Sequence, residues 1–301
     1  MSAEITSGVI FLDKPEGWTS RQAVNAVSRI FGGIKVGHSG TLDPLATGML
    51  PVLLGEATKF ADLGLAADKI YRVTLDLSLQ TDTLDAEGTV TQRFSVSDID
   101  AARIRAAIGK LEGRQLQIPP AYSAIRLAGR RAYELARQGR AVTLPPREIS
   151  IHWIRLTAWD RPVLKLHVKC SKGAFIRSLA RDVGELLGTG GCVTELRRTC
   201  IGSWEESLMV DMKSLEQERE RAIQPLSFWL KDLKKVQLTT ELAKRFLYGQ
   251  RLPVGLAKSE LCRVYCNEIL LGAGEVRKSD QSGAYILHPK RVLPSSQRRF
   301  V

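Results

Sequence analysis

Apolar positions along this 301-residue chain change period several times, and each change marks an element. Gly8 to Asp13 is a short apolar run ended by Lys14-Pro15-Glu16-Gly17, which predicts a strand and a turn. Thr19 or Ser20 can then cap a helix on which Val24, Val27, Ile30 and Phe31 recur at helical spacing, with Gly32-Gly33 as its stop. From Tyr71 to Leu79 the period is two. Tyr71, Val73, Leu75, Leu77 and Leu79 share one face and Arg72, Thr74, Asp76 and Ser78 the other, which predicts a half-buried strand. Leu164, Leu166, Val168 and Cys170 alternate likewise with Lys165, His167 and Lys169, and a helical pattern follows from Phe175 to Leu187, ended by Gly188. Strands and helices mix without the regular repeat of a doubly wound fold, so an α+β domain is expected. Glu216 to Arg221 reads as a solvated helical stretch and Leu226 to Leu233 as amphipathic. A boundary near residue 235 would divide 1–235 from 236–301. The second part has a helix signal at Glu241 to Leu247, alternating runs flanking Asn267-Glu268 and a last run from Tyr285 to Leu287, the spacing of a small β-rich module.

Charge adds a partner to this picture. Lys and Arg number 44 against 32 Asp and Glu, a net charge of +12, which favours a polyanionic ligand. The excess is concentrated between Arg103 and Arg147, where ten basic residues face two acids, Glu112 and Glu134. A solvated helical face is the ordinary explanation of such a run. Its single sign, with Tyr122 and Tyr133 interleaved, points instead to phosphate contact. The longest charge-free run, Pro44 to Gly55, has 12 residues, short of the roughly 20 apolar residues that span a bilayer. Residues 1–13 contain no Lys or Arg, so no export leader and a cytoplasmic location are expected. Five cysteines without a C-x-x-C pair and four scattered histidines lead us to expect neither a disulfide nor a metal site.

Chemistry concentrates in Gly37-His38-Ser39-Gly40-Thr41-Leu42-Asp43-Pro44-Leu45-Ala46-Thr47-Gly48, a density of small and polar residues expected where backbone approaches a ligand. Pro44 holds Asp43 in an extended or turn geometry, although Asp before Pro often serves only to turn the chain. A phosphate loop is excluded because no Gly-Lys-Ser/Thr follows. Paired-carboxylate chemistry would need a second acid, and the sequence names none beside Asp43.

Several motifs resemble the TruB family of tRNA pseudouridine synthases. They are Leu12-Asp13-Lys14-Pro15 with Gly17 and Thr19-Ser20, the Gly-His-Ser-Gly-Thr-Leu-Asp-Pro loop, and Gly55-Glu56-Ala57-Thr58-Lys59. Tyr71 with Thr81-Asp82-Thr83 and Asp85, Pro119 to Ala124, Gly173 to Leu179, and Leu196-Arg197-Arg198 follow in family order. The resemblance implies a pseudouridine synthase fold, a mixed and largely antiparallel central sheet with flanking helices, and residues 236–301 resemble a PUA RNA-binding module. It implies isomerisation of the T-loop uridine conventionally numbered 55 by base flipping, C1′–N1 cleavage and C1′–C5 rejoining. No cofactor is implied, and the expected partner is the tRNA T-arm, bound by a monomer without an obligate protein partner. Asp43 inherits the catalytic role, Arg177 pairs with it, and Tyr71 stacks on the base. His38 helps to open the T-loop and Leu196 walls the uracil pocket. Lys14, Lys59 and Arg198 are expected at RNA phosphates, and Tyr122, Arg130 and Arg131 of the basic run join them as RNA contacts. Ser78, Ala174, Phe175 and Trp204 depart from the family pattern, Phe175 lacking a phenolic hydroxyl. The competing readings are a non-catalytic tRNA-binding or folding chaperone and a subunit of a guide-RNA complex.

Overall fold

The computed structural model describes residues 7–127, 129–140, 142–255, 258–280 and 283–294; residues 1–6, part of the stretch in which no export leader is expected, lie outside the described residues. Its largest sheet has ten strands. The main path runs Gln224–Pro225, Gly8–Lys14, Thr47–Leu54, Cys192–Ile201, Lys69–Asp76, Val163–Cys170, Arg147–Asp160 and Gly113–Gln117. Pairing along it is antiparallel except between Cys192–Ile201 and Thr47–Leu54. Mixed and largely antiparallel, with helices packed on it, this is the architecture expected.

Burial on one or two faces explains the sequence pattern of each strand. Ile10 and Leu12 enter a core shared with the helices Ser20–Ile30, Ala101–Gly109 and Ile176–Leu187. Val9 and Phe11 enter a second core on the opposite face, with Trp204 stacked on Trp229 at 4.2 Å between ring centroids. Strands covered on both faces read as unbroken apolar runs. Lys69–Asp76 is open on one face and alternates accordingly: Tyr71, Val73 and Leu75 are buried while Arg72 is exposed. The alternation carries on to Leu79, but the strand stops at Asp76. Its Oδ1 accepts from Ser78 N at 2.7 Å and Ser78 Oγ at 2.6 Å, a local competitor for the ladder that bends the chain.

Thr19 caps the first helix through a reciprocal pair, with Gln22 N donating to Thr19 Oγ1 at 3.2 Å and Thr19 N to Gln22 Oε1 at 2.8 Å. Gly188, at φ +71°, closes the helix Ile176–Leu187. The stretch expected to be helical from Glu216 ends as an α-helix at Glu218, where Arg219 turns to φ +45°. A five-stranded sheet begins at Lys234 and encloses a third core, with Asn267 at φ +50° turning Glu260–Cys266 into Ile269–Lys278. It rests on the larger sheet through Ala273 and Leu293, and Arg291 Nε donates to the Lys59 carbonyl at 3.1 Å. All five cysteines are buried and free. No helix among the described residues is long and apolar enough to cross a membrane.

Candidate active site

The loop from Gly40 to Met49 carries Asp43 and is tied down on every side. Ser20, first residue of its helix, exchanges two hydrogen bonds with Leu42, Oγ to the carbonyl at 2.9 Å and Leu42 N to Oγ at 2.8 Å. Gly17 N donates to the Pro44 carbonyl at 2.9 Å, and Lys14 Nζ donates to the carbonyls of Pro15 (2.8 Å), Trp18 (2.6 Å) and Pro44 (3.2 Å). Arg198 donates from Nε to Met49 (2.8 Å), from Nη1 to Thr41 (3.4 Å) and from Nη2 to Gly40 (2.9 Å). These contacts correct two expectations. Lys14 and Arg198 are 0% and 1% exposed, so neither head can reach an RNA phosphate; both brace backbone carbonyls that would otherwise be buried without a donor. The small residues of the loop likewise make room for protein: a Cβ on Gly48 (φ +93°) would lie 2.3 Å from the Arg198 carbonyl oxygen.

Arg177, only 6% exposed, joins the helix Ile176–Leu187 to this loop. Its Nε lies 3.0 Å from Asp43 Oδ2, an ion pair whose N–H does not point along the contact. Nη1 faces Asp85 Oδ2 at 3.3 Å and donates to the Thr83 carbonyl at 3.0 Å, and Nη2 donates to the Tyr122 carbonyl at 2.9 Å. The second acid that the sequence could not name is therefore Asp85. Its Oδ1 accepts from Thr83 Oγ1 at 2.6 Å and Glu87 N at 3.1 Å, fixing a carboxylate whose side chain is 4% exposed.

Asp43 keeps 39% of its side chain exposed, at a cleft of about 1090 Å³. Surrounding protein desolvates the carboxyl and raises its pKa; the Arg177 charge opposes that shift and Asp85 adds to it. Burial, with Asp85 and Asp43 nearby, also raises the pKa of Glu87. His38 lines the same cleft with its Nδ1 buried and unpartnered among the described residues, and burial plus the Arg198 charge lower its pKa, which favours the neutral ring. Among the described residues, no three His, Cys, Asp or Glu side chains converge as a metal-binding group.

The cleft gathers His38, Asp43, Tyr122, Arg131 and Arg177, and it includes Arg126 and Arg137 of the basic run and the interleaved Tyr133. Tyr71 is 8% exposed and is paired in register with Arg198, behind the loop. Leu196, in register with Val73, lines a separate cavity of about 480 Å³ together with Leu45 and Thr47. Lys59 and Arg130 lie outside the cleft lining, and Lys59 is ion-paired with Glu56. Gln117 brackets the Phe175 backbone, accepting from Phe175 N at 2.8 Å and donating to its carbonyl at 3.2 Å.

The family model for the TruB family pseudouridylate synthase N-terminal domain matches residues 28–176. That for the tRNA pseudouridylate synthase B C-terminal domain matches residues 177–236, and that for the pseudouridine synthase II TruB C-terminus residues 235–293. A tRNA pseudouridine synthase B from Chromohalobacter salexigens is 40% identical over 293 residues, 95% of this chain and 94% of that protein. Its namesake from Ralstonia nicotianae is 40% identical over 296 residues, with the same coverage. The fold is also that of a solved archaeal box H/ACA sRNP Nop10-Cbf5 complex, with a TM-score of 0.74, 25% identity, and 99% of this chain and 89% of that one covered. A solved Cbf5-Nop10-Gar1 complex gives 0.76 at 24% identity, with 97% and 86% covered. With motifs, sheet order and near full-length identity in agreement, this chain belongs to the TruB family of pseudouridine synthases.

Proposed function

We propose that the chain isomerises uridine 55 in the T-loop of tRNA to pseudouridine, with Asp43 as the catalytic carboxylate. The observation that carries this reading is Asp43 itself, presented to an open cleft and held by a buried arginine at 3.0 Å. In the reaction the C1′–N1 bond breaks, the uracil turns, C1′–C5 forms, and the proton that leaves C5 is balanced by the one N1 gains. No electrons leave the nucleotide, so the chain's own groups suffice: an ionised carboxylate to act on the flipped nucleotide and a charge to keep it ionised and aimed. Arg177 supplies that charge, and its contacts to Asp85, Thr83 and Tyr122 fix its direction. By the family resemblance, a base taken out of its stack would meet Tyr71, 8% exposed outside the cleft lining, as its π-face and Leu196, in the separate cavity, as an apolar wall. The neutral His38 ring fits a place among unstacked T-loop bases.

Arg126, Arg131 and Arg137 on the cleft wall take the phosphates, with Arg131 and Arg137 lying 5.9 and 5.7 Å from the Tyr133 ring centroid. Residues 1–235 act as the catalytic unit and 236–301 as a PUA-like RNA-binding unit, in a cytoplasmic monomer. The test is incubation of the purified chain, with EDTA and no cofactor, on unmodified tRNA transcript, followed by chemical mapping of pseudouridine. Conversion at the single T-loop uridine, lost in Asp43→Asn, is the expected result. Binding of tRNA without conversion at any uridine would overturn the assignment in favour of a folding or binding protein.

A further inference from the structure

We propose that Arg198 is a positioning residue for the isomerisation, a buried guanidinium that locks the two ends of the Asp43 loop together while its own strand holds that loop in register beside Tyr71. The proposal rests on the roles given above to Asp43 and Tyr71. Three donors of one planar group end on Gly40 and Thr41, which enter the loop, and on Met49, which leaves it. The same residue's backbone pairs with Gly48 on one side and Tyr71 on the other. Both loop glycines are shaped by this contact. Gly40 sits at φ +102° with a notional Cβ 3.4 Å from Arg198 Nη1, and Gly48 at φ +93° lies against the Arg198 carbonyl. Rotation of the guanidinium therefore moves Asp43 through its loop, while the strand pairing with Tyr71 is left in place.

The charge has a second consequence. Its donors are spent on carbonyls rather than on a carboxylate, so its field remains in the site. It pulls down the Tyr71 phenol pKa against the burial that raises it, and lowers those of His38 and Lys69. Lysine at this position would keep the charge but could not reach three carbonyls with the geometry of a fork.

The experiment compares Arg198→Lys with the parent under single-turnover and steady-state conditions. The expected result is a kcat lowered about 10²-fold, the cost of displacing reacting groups by about 1 Å, with KM for tRNA within twofold and the salt dependence of binding unchanged. A loss carried by KM with a flatter salt slope would return Arg198 to phosphate binding and overturn the proposal. Should Arg198→Lys fail to fold, Gly40→Ala tests the same clamp from the other side and should lower kcat at unchanged KM; unchanged kcat would refute the clamp. Asp43→Asn run in parallel separates the two levels, since activity surviving in that variant would sink the catalytic reading itself.

Discussion

Two groups of cations belong to the same site and do opposite work. Lys14, Arg177 and Arg198 are buried, and their donors meet carbonyls or the carboxylates of Asp43 and Asp85. Arg126, Arg130, Arg131 and Arg137 are exposed, and two of them lean on Tyr133. A desolvated cation persists only if its hydrogen bonds are met by the protein, so the first group encodes geometry. A solvated cation keeps its water and counterions until a phosphate displaces them, so the second encodes attraction. The first set should govern kcat and the second KM and its response to salt.

Asp43→Asn gives the largest effect. It should lower kcat by about 10⁴-fold or more, as loss of a catalytic nucleophile does, while tRNA affinity at fixed salt stays within threefold. A parallel loss of affinity would blur the division between the two groups. Arg177→Lys comes next. Asp43 must be ionised to act, and burial raises its pKa, so the rate should fall as pH drops through that raised value. Arg177 opposes the shift; an ammonium cannot serve Asp43, Asp85, Thr83 and Tyr122 together, so the acid limb should move to higher pH in the variant. The neutral-pH rate should fall about 10²-fold. An unmoved limb in a pH–rate profile would show that Arg177 does not control Asp43.

Neutralising the exposed group should act on binding alone. Arg126→Gln with Arg131→Gln should raise KM and flatten the log K against log salt slope by about one unit per lost contact, leaving kcat at saturation intact. Arg130→Gln, outside the cleft lining, should change the slope less. Equal effects from Arg130 and Arg131 would mean that the whole run acts as a diffuse field rather than through the cleft wall.

What could be read from the chain follows the same division. Strands with one wet face, Lys69–Asp76 and Val163–Cys170, announced themselves by alternation, and the Thr19 and Gly188 caps marked their helices. Thr47–Leu54 did not, because both faces are buried from Met49 to Leu54 and Pro51 interrupts the run, leaving no period to detect. Motif order identified Asp43, Arg177 and Tyr71. It could not say that Lys14 and Arg198 point inward, since a cation beside a glycine-rich loop looks the same whether its partner is a phosphate or a carbonyl. Asp85 stood among the motifs without a role for a related reason: its link to Asp43 runs through Arg177, more than ninety residues later in the chain, and only the fold makes that contact.

Of the three buried cations Lys14 has the smallest expected effect on kcat, and its clearest signature is in stability. Burial lowers its pKa from 10.5 to about 8, although three carbonyls hold its ammonium. Between those two values the unfolded chain binds a proton at Lys14 that the folded chain has released, so this residue's contribution to stability rises with pH across that window. Chemical denaturation of the wild type and Lys14→Met from pH 7 to pH 10 should therefore show the difference shifting towards the wild type, by on the order of 2–3 kcal/mol over the full window. Groups common to both proteins cancel in that difference. A gap independent of pH would mean that Lys14 stays charged at its buried post, and that the carbonyl cage around Pro44 outweighs desolvation.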